Sequence, residues 1–355
     1  MDDTPDLFTW AEEQERNRAA ESEPAPEPVP EPVPESAPEP VPEPAPGVAA
    51  EPAEPVSGPV MLIDAFSQIF RCFFAIRQLN NRRGEPVNAL YLMTKLFLIL
   101  HRDYPGNRGA LLFDSGKVRF RLELLPEYKA NRPPMPEALK VQMPKIEEMA
   151  GAFGWPLLRA ENYEADDLIG GFAGAVKAPV LVVTSDKDLS SLVNERVHLL
   201  KPARSGGGFK ECGEEEVRQE FGVTPALIPD YLALLGDSVD NIAGVPGIGV
   251  KSAAELLNTF GPIEGWYPGD GTEKFTGSKF AAKLAGKREL LERNLGLTRL
   301  KCELPPEFAA ADKALCRREP DWQRIADLCA ENDFKSLLKE IPATPTPPSR
   351  EDELF

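Results

Sequence analysis

Three short apolar runs in this sequence stop at aspartate: VMLID (60–64), GALLFD (109–114) and APVLVVTSD (178–186). A fourth run, WPLLRA (155–160), lies among them, and helix-like stretches such as FSQIFRCFFAI (66–76) and EADDLIGGFAGAV (164–176) separate the runs. Apolar strands that alternate with helices predict an α/β domain, with a mostly parallel sheet and helices on both faces. Ligands of such sheets sit outside the carboxyl ends of the strands. Asp64, Asp114 and Asp186 fall at those ends.

From Glu214 onward the pattern reads as entirely helical, so a second, all-helical subdomain is expected after the sheet. The 115–145 stretch is different: KVRFRLELLPEYKANRPPMPEALK holds bases, aromatics and prolines without clean periodicity. Long connections of this kind are usually functional or mobile. Residues 22–59 hold 14 of the 37 prolines, in repeats such as EPVPEPVPE that offer no apolar face to bury, so 1–59 is expected to be an extended acidic arm. PATPTPPSREDELF gives a second disordered arm over 339–355.

Net charge does not exclude a nucleic-acid partner. Of the total of −17, residues 1–59 carry 15 acids against 2 bases and residues 341–355 carry 3 against 1, which leaves only −2 for residues 60–340. A nearly neutral body has room for an acidic pit beside a basic face. The five cysteines are widely spaced without a C-x-x-C pair, so neither a disulfide framework nor a zinc site is indicated. With no apolar leader at MDDTPDLF and no run long enough to span a bilayer, a cytoplasmic chain with no membrane partner is expected.

Nine acids cluster by position: Asp64, Asp114, Asp186 and Asp188 near strand ends, Glu164, Asp166 and Asp167 at a helix start, and Asp237 and Asp240 later in the chain. Two carboxylates about 6 Å apart repel by roughly 3 kcal/mol at an effective dielectric near 20. Such a group persists with cations or with protons on some members. Oxygen ligands without His or Cys suit Mg²⁺ or Mn²⁺, and a pair of such ions supports in-line attack of water on a phosphodiester.

The segment GDSVDNIAGVPGIGVKSAAELL (236–257) joins two of those acids to a glycine turn that opens a helix. Gly247 and Gly249 let backbone N–H groups approach a phosphate, the helix start adds its dipole, and Lys251 and Ser252 add a charge and a hydroxyl.

Seven blocks, in order, make the sequence similar to a known family: LIDAFSQIFRCFFAI, RGEPVNALY, LLFDSGKVRFR, LPEYKANRPP, NYEADDLIGG, VVTSDKDLSSLV and LLGDSVDNIAGVPGIGVKSAAELL. The chain resembles the 5′ nuclease domain of bacterial DNA polymerase I, within the flap endonuclease family, over about residues 60–305. The resemblance implies a PIN-like, resolvase-like catalytic domain over 60–212, with a helical arch at about 115–145. A helical domain over 213–338 would follow, with a helix-hairpin-helix at about 232–260. Asp64, Asp114, Glu164, Asp166 and Asp167 match a first metal group, and Asp186, Asp188, Asp237 and Asp240 a second. Arg71, Lys129 and Arg132 match bases at the scissile phosphate or the threaded strand. Arg121, in the arch, and Gly247, Gly249, Lys251 and Ser252 are expected DNA contacts, with a K⁺ ion at the hairpin. Ala65 stands where the family has glycine, and 264–277 is longer than the family's pattern.

These expectations describe a stand-alone, monomeric 5′-3′ exonuclease or flap endonuclease using two Mg²⁺ or Mn²⁺. Its partners would be 5′ flaps, nicked or gapped duplex, single-stranded 5′ ends, and RNA primers in RNA–DNA hybrid. A DNA-structure-binding protein without catalysis is the competing class, against which stand nine acids that repel DNA unless neutralised. A single-strand ribonuclease of related fold would lack the hairpin segment. TPDLF (4–8) and EDELF (351–355) resemble sliding-clamp motifs, which makes Leu7, Phe8, Leu354 and Phe355 candidate clamp contacts.

Overall fold

The computed structural model describes residues 58–342, apart from 117, 204–207 and 268–272. The acidic arm and the tail lie outside these residues but for their inner edges, and so do Leu7, Phe8, Leu354 and Phe355. The apolar runs become β1 (Val60–Asp64), β2 (Gly109–Leu112), β3 (Leu157–Leu158) and β4 (Val180–Val183), joined by β5 (Val197–Pro202) and β6 (Phe209–Cys212). They form one sheet in the order β3-β2-β1-β4-β5-β6. Every pair is parallel except β5 with β6. Asp64 pairs with Leu112 and Ile63 with Val183, so β1, β2 and β4 end at one edge.

Alternation along β1 separates two cores. Val60 and Leu62 join one apolar cluster, Met61 and Ile63 the other. The second cluster is covered by α1 (Ala65–Ala75) and α2 (Asn88–Asp103). Ala65 opens α1 fully buried, so this position makes no use of glycine's freedom. After β2 come two short helices, α3 (Arg119–Leu124) and α4 (Glu137–Lys140), and then α5 (Met143–Ala152), which packs on α2. α6 (Ala165–Ala175) covers the first cluster together with the helical part of the chain: α7 (Glu214–Phe221), α8 (Ile228–Leu235), α9 (Val250–Phe260), α10 (Ala281–Leu284) and α11 (Arg288–Thr298).

Two features depart from the sequence reading. The 236–243 stretch is not helical: β7 (Gly236–Asp237) pairs antiparallel with β8 (Ile242–Ala243). A Cβ on Gly236 would lie 2.3 Å from the Gly244 nitrogen, and its φ is +74°, so only glycine lets these backbones close. Residues 315–338, expected within the helical domain, instead return to the sheet. After α12 (Ala311–Ala314), Leu315 accepts from the Gly109 amide at 2.7 Å and Arg317 donates to Asn107 at 2.9 Å. α13 (Trp322–Glu331) then sets Ile325, Leu328 and Cys329 into the cluster of α2 and α5, followed by Phe334 and Leu337. An amphipathic helix settles on whichever apolar face is open, and here that face belongs to the first domain.

Candidate active site

The carboxyl edge of the sheet carries the acids, and helix capping fixes two of them. Asp64 closes β1 and caps α1, its Oδ1 accepting from the Ser67 amide at 3.2 Å while Oδ2 accepts from Thr184 Oγ1 at 2.8 Å. Asp114, beyond β2, caps α6 from another element: the Ala165 amide donates to its Oδ1 at 2.7 Å. Asp186 follows β4, accepting from the Asp188 amide at 2.9 Å.

These elements bring Asp64, Asp166 and Asp186 together, with one oxygen of each within 4.8 Å of the others. Burial, and then the charge of Asp186, raises the Asp64 carboxyl to about 7 and that of Asp188 to about 8. The same two causes raise Asp166, and burial raises Asp186. Carboxyls so crowded and desolvated hold protons or cations. An oxygen-only set at this spacing fits a hard divalent ion. Asp114, Glu164 and Asp240 join them around a cavity of about 720 Å³.

Residues of the 115–145 stretch line the same cavity. Lys129 Nζ lies 2.8 Å from Glu164 Oε1, and Arg132 pairs with Asp240. Lys129 has φ +56°, uncommon for a side-chain-bearing residue, and its amide donates to the Asp240 carbonyl at 3.1 Å. Arg71 is half-buried on α1, its guanidinium 3.4 Å from Gln68 Oε1, and burial draws it down to about 10. Phe66, Phe70, Pro133 and Met135 give the cavity an apolar side.

Two expected roles are corrected. Arg121 is not a surface contact for DNA: it is 2% exposed, its two terminal nitrogens donate to Asp167 at 2.7 and 2.8 Å, and Nε donates to the Leu297 carbonyl at 3.3 Å. By the same bond Asp167 is not presented to a metal. It is fully buried, both oxygens face Arg121, and one also accepts from the Lys301 amide at 2.8 Å. The bidentate fork of arginine makes this a pin between α3 and α6. Asp237 stands beside the cavity, near enough to raise Asp188. Burial would raise Asp237 too, but Lys187 Nζ at 2.6 Å holds its carboxyl below the usual range.

Sequence reasoning missed Lys187 and Tyr128. The Tyr128 hydroxyl lies 3.2 Å from Glu164 Oε2 and 3.3 Å from Asp240 Oδ2, joining acids 76 positions apart. Its one sequence signal was its place beside Lys129 in the LPEYKANRPP block. Beyond β8, the turn before α9 leaves Gly247, Gly249 and Lys251 exposed and Ser252 half-buried.

A model described as the 5′-3′ exonuclease N-terminal resolvase-like domain matches residues 59–222, and one described as the 5′-3′ exonuclease C-terminal SAM fold matches residues 223–323. The 5′-3′ exonuclease of Aquifex aeolicus is 35% identical over 288 residues, covering 79% of this chain and 94% of that one. DNA polymerase I of Pseudomonas aeruginosa is 38% identical over 293 residues, 80% of this chain but 31% of that protein, so the chain spans under a third of that polymerase. In fold it is similar to the T5 D15 protein co-crystallized with metal ions, with a TM-score of 0.53 and 23% identity over 76% of this chain and 98% of that one. It is also similar to the catalytic core of Rad2 in complex with DNA substrate, with a TM-score of 0.51 and 17% identity over 81% and 93%. With both halves of the fold matched in sequence and most of a curated exonuclease covered, the chain belongs to the 5′-3′ exonuclease family.

Proposed function

We propose that this chain hydrolyses DNA phosphodiesters as a metal-dependent 5′-3′ exonuclease and 5′ flap endonuclease, and removes RNA primers paired to DNA. The observation that carries this reading is the trio Asp64, Asp166 and Asp186, converging beneath the arch cations Lys129 and Arg132 in one cavity. Asp64, Asp114, Glu164 and Asp166 would hold one Mg²⁺ or Mn²⁺, and Asp186, Asp188, Asp237 and Asp240 a second. Bound there, such ions neutralise the acids, polarise a phosphate oxygen and make a water nucleophilic at neutral pH.

The chain's own groups do the rest. Thr184 and the Ser67 amide hold Asp64 in one orientation, and Tyr128 spans the two acid groups. Lys129 and Arg132, paired with Glu164 and Asp240 in the free protein, would take phosphate oxygens, with Arg71 as a third base for the threaded strand. The aromatic and proline side of the cavity offers the last bases an apolar surface that keeps bulk water off the reacting phosphate. Gly247, Gly249, Lys251 and Ser252 hold duplex backbone at the α9 start.

The test is cleavage of a labelled 5′-flap duplex by the intact chain with Mg²⁺, with EDTA, and for Asp186→Asn. Cleavage is expected in the first case alone, while the variant still binds the duplex; activity that survives EDTA would overturn the metal-dependent reading. Placement in the cytoplasm, action as a monomer, and docking of the terminal Leu-Phe pairs on a sliding clamp belong to the same proposal. Among the described residues no helix is long and apolar enough to cross a membrane. Deleting both ends is expected to reduce capture by a purified clamp ring, and unchanged retention removes the docking idea.

A further inference from the structure

The segment that carries Lys129 and Arg132 is stitched to the turn that carries Asp237 and Asp240 by two exposed asparagines. The Asn131 side-chain amide donates to the Ser238 carbonyl at 2.7 Å, and that of Asn241 donates back to the Glu127 carbonyl at 2.9 Å. Between them the Lys129 backbone amide donates to the Asp240 carbonyl at 3.1 Å. The backbone is left-handed on both sides of this junction, with φ +56° at Lys129 and +60° at Asn241. Such angles persist where the surroundings enforce them. Leu125, Tyr128, Ile242 and Leu297 form a small apolar cluster of their own across the same junction. The turn has a firm footing, because buried Asn294 donates to the Ala233 and Ala243 carbonyls at 2.9 Å each.

We propose that Asn131 and Asn241 are positioning residues: they make the phosphate-binding bases and the second acid group one unit, so that divalent-ion binding and strand binding favour each other. In the free protein Asp240 accepts from Arg132 Nε at 3.1 Å, and Glu164 pairs with Lys129. The Asp240 carboxylate serves either that guanidinium or a divalent ion, and Arg132 serves either Asp240 or a strand phosphate. Each ligand therefore releases the group that the other needs. The release helps only while the two backbones stay together, since a freed Arg132 has to remain within reach of a phosphate beside the acids. Coupling of this kind is reciprocal. The inference rests on the metal-dependent reading proposed above.

The test is the affinity of the full chain for a fluorescein-labelled 5′-flap duplex, by anisotropy, in EDTA and in Ca²⁺ at equal ionic strength, with the strand shown intact on a gel. Ca²⁺ takes oxygen ligands of the kind gathered here. Wild type is expected to bind about tenfold more tightly in Ca²⁺ than in EDTA. Asn131→Ala, and Asn241→Gly, which keeps the left-handed backbone, should each lower that ratio about fivefold, the scale of one hydrogen bond, through weaker binding in Ca²⁺ alone. Asn131→Gln, which keeps an amide donor, should recover part of the loss. Melting temperatures should stay near wild type, because both side chains are exposed and the apolar cluster is untouched. Equal losses in EDTA and in Ca²⁺ would make the asparagines direct DNA contacts and overturn the proposal. Variants that keep the wild-type ratio would also overturn it, while leaving the metal site standing. A wild-type ratio near one would defeat the metal site itself, and this inference with it.

Discussion

Replacing Arg121 by methionine tests whether this arginine is a structural pin or a DNA contact. Arg121 is 2% exposed and Asp167 fully buried, and two N–H groups at 2.7 and 2.8 Å join them. Arg121→Met leaves the fully buried Asp167 with one strong donor, the Lys301 amide at 2.8 Å, and also takes away a cation 3.2 Å from Glu164. Breaking a buried pair from one side costs about 3–5 kcal/mol. For a fold of this size that corresponds to a melting temperature lower by about 6–10 °C. Removing the stranded charge as well, in Arg121→Met with Asp167→Leu, should return most of the loss, since apolar pairs of similar volume often replace buried ion pairs at little cost. The assay is calorimetric melting of the single and double variants in EDTA, beside duplex affinity by anisotropy. An Arg121→Met protein that melts within 1 °C or so of wild type and binds duplex severalfold more weakly would refute the pin and restore the DNA contact.

Tyr128→Phe removes the hydroxyl between Glu164 and Asp240, and the Mg²⁺ concentration for half-maximal cleavage is expected to rise about tenfold; an unchanged midpoint would show that the bridge orients nothing. The raised Asp64 carboxyl, at about 7, means that between about pH 4 and 7 the folded metal-free protein binds more protons than the unfolded chain, so its stability falls as pH rises through that window. Wild type in EDTA should therefore melt progressively lower than Asp64→Asn as pH goes from 5 to 8, and a gap independent of pH would contradict this. Gly236→Ala would force a Cβ against the Gly244 amide at positive φ, costing about 2 kcal/mol or more. A melting temperature equal to wild type would show that the β7–β8 ladder is looser than its geometry.

The sheet and most of the acidic cluster were legible because both follow from local pattern. An apolar run that ends in aspartate places the carboxylate at a strand end, and parallel order brings such ends together. Pairing across space was not legible in the same way. Nothing near Arg121 announces that a carboxylate 46 positions later will enclose it, and so Asp167, adjacent to a true cavity acid, carried no sign of turning inward. Tyr128 and Lys187 escaped for a related reason: each acts by touching an acid that belongs to another element. α13 has an evident apolar face, but an amphipathic helix does not name the surface it will cover.

The return of α13 to the first core ties the beginning of the catalytic domain to nearly the end of the described chain. During synthesis, β1 and its acids leave the ribosome long before Ile325, Leu328 and Phe334 exist to cover the α2–α5 face. Domains usually complete themselves in the order they are made. Here the earliest strand waits for the latest helix, so the nascent protein passes through a stage in which its whole acidic edge is translated while one side of its sheet still lacks part of its cover. A nuclease built this way finishes the core on that side of its sheet only once Leu337 has been made.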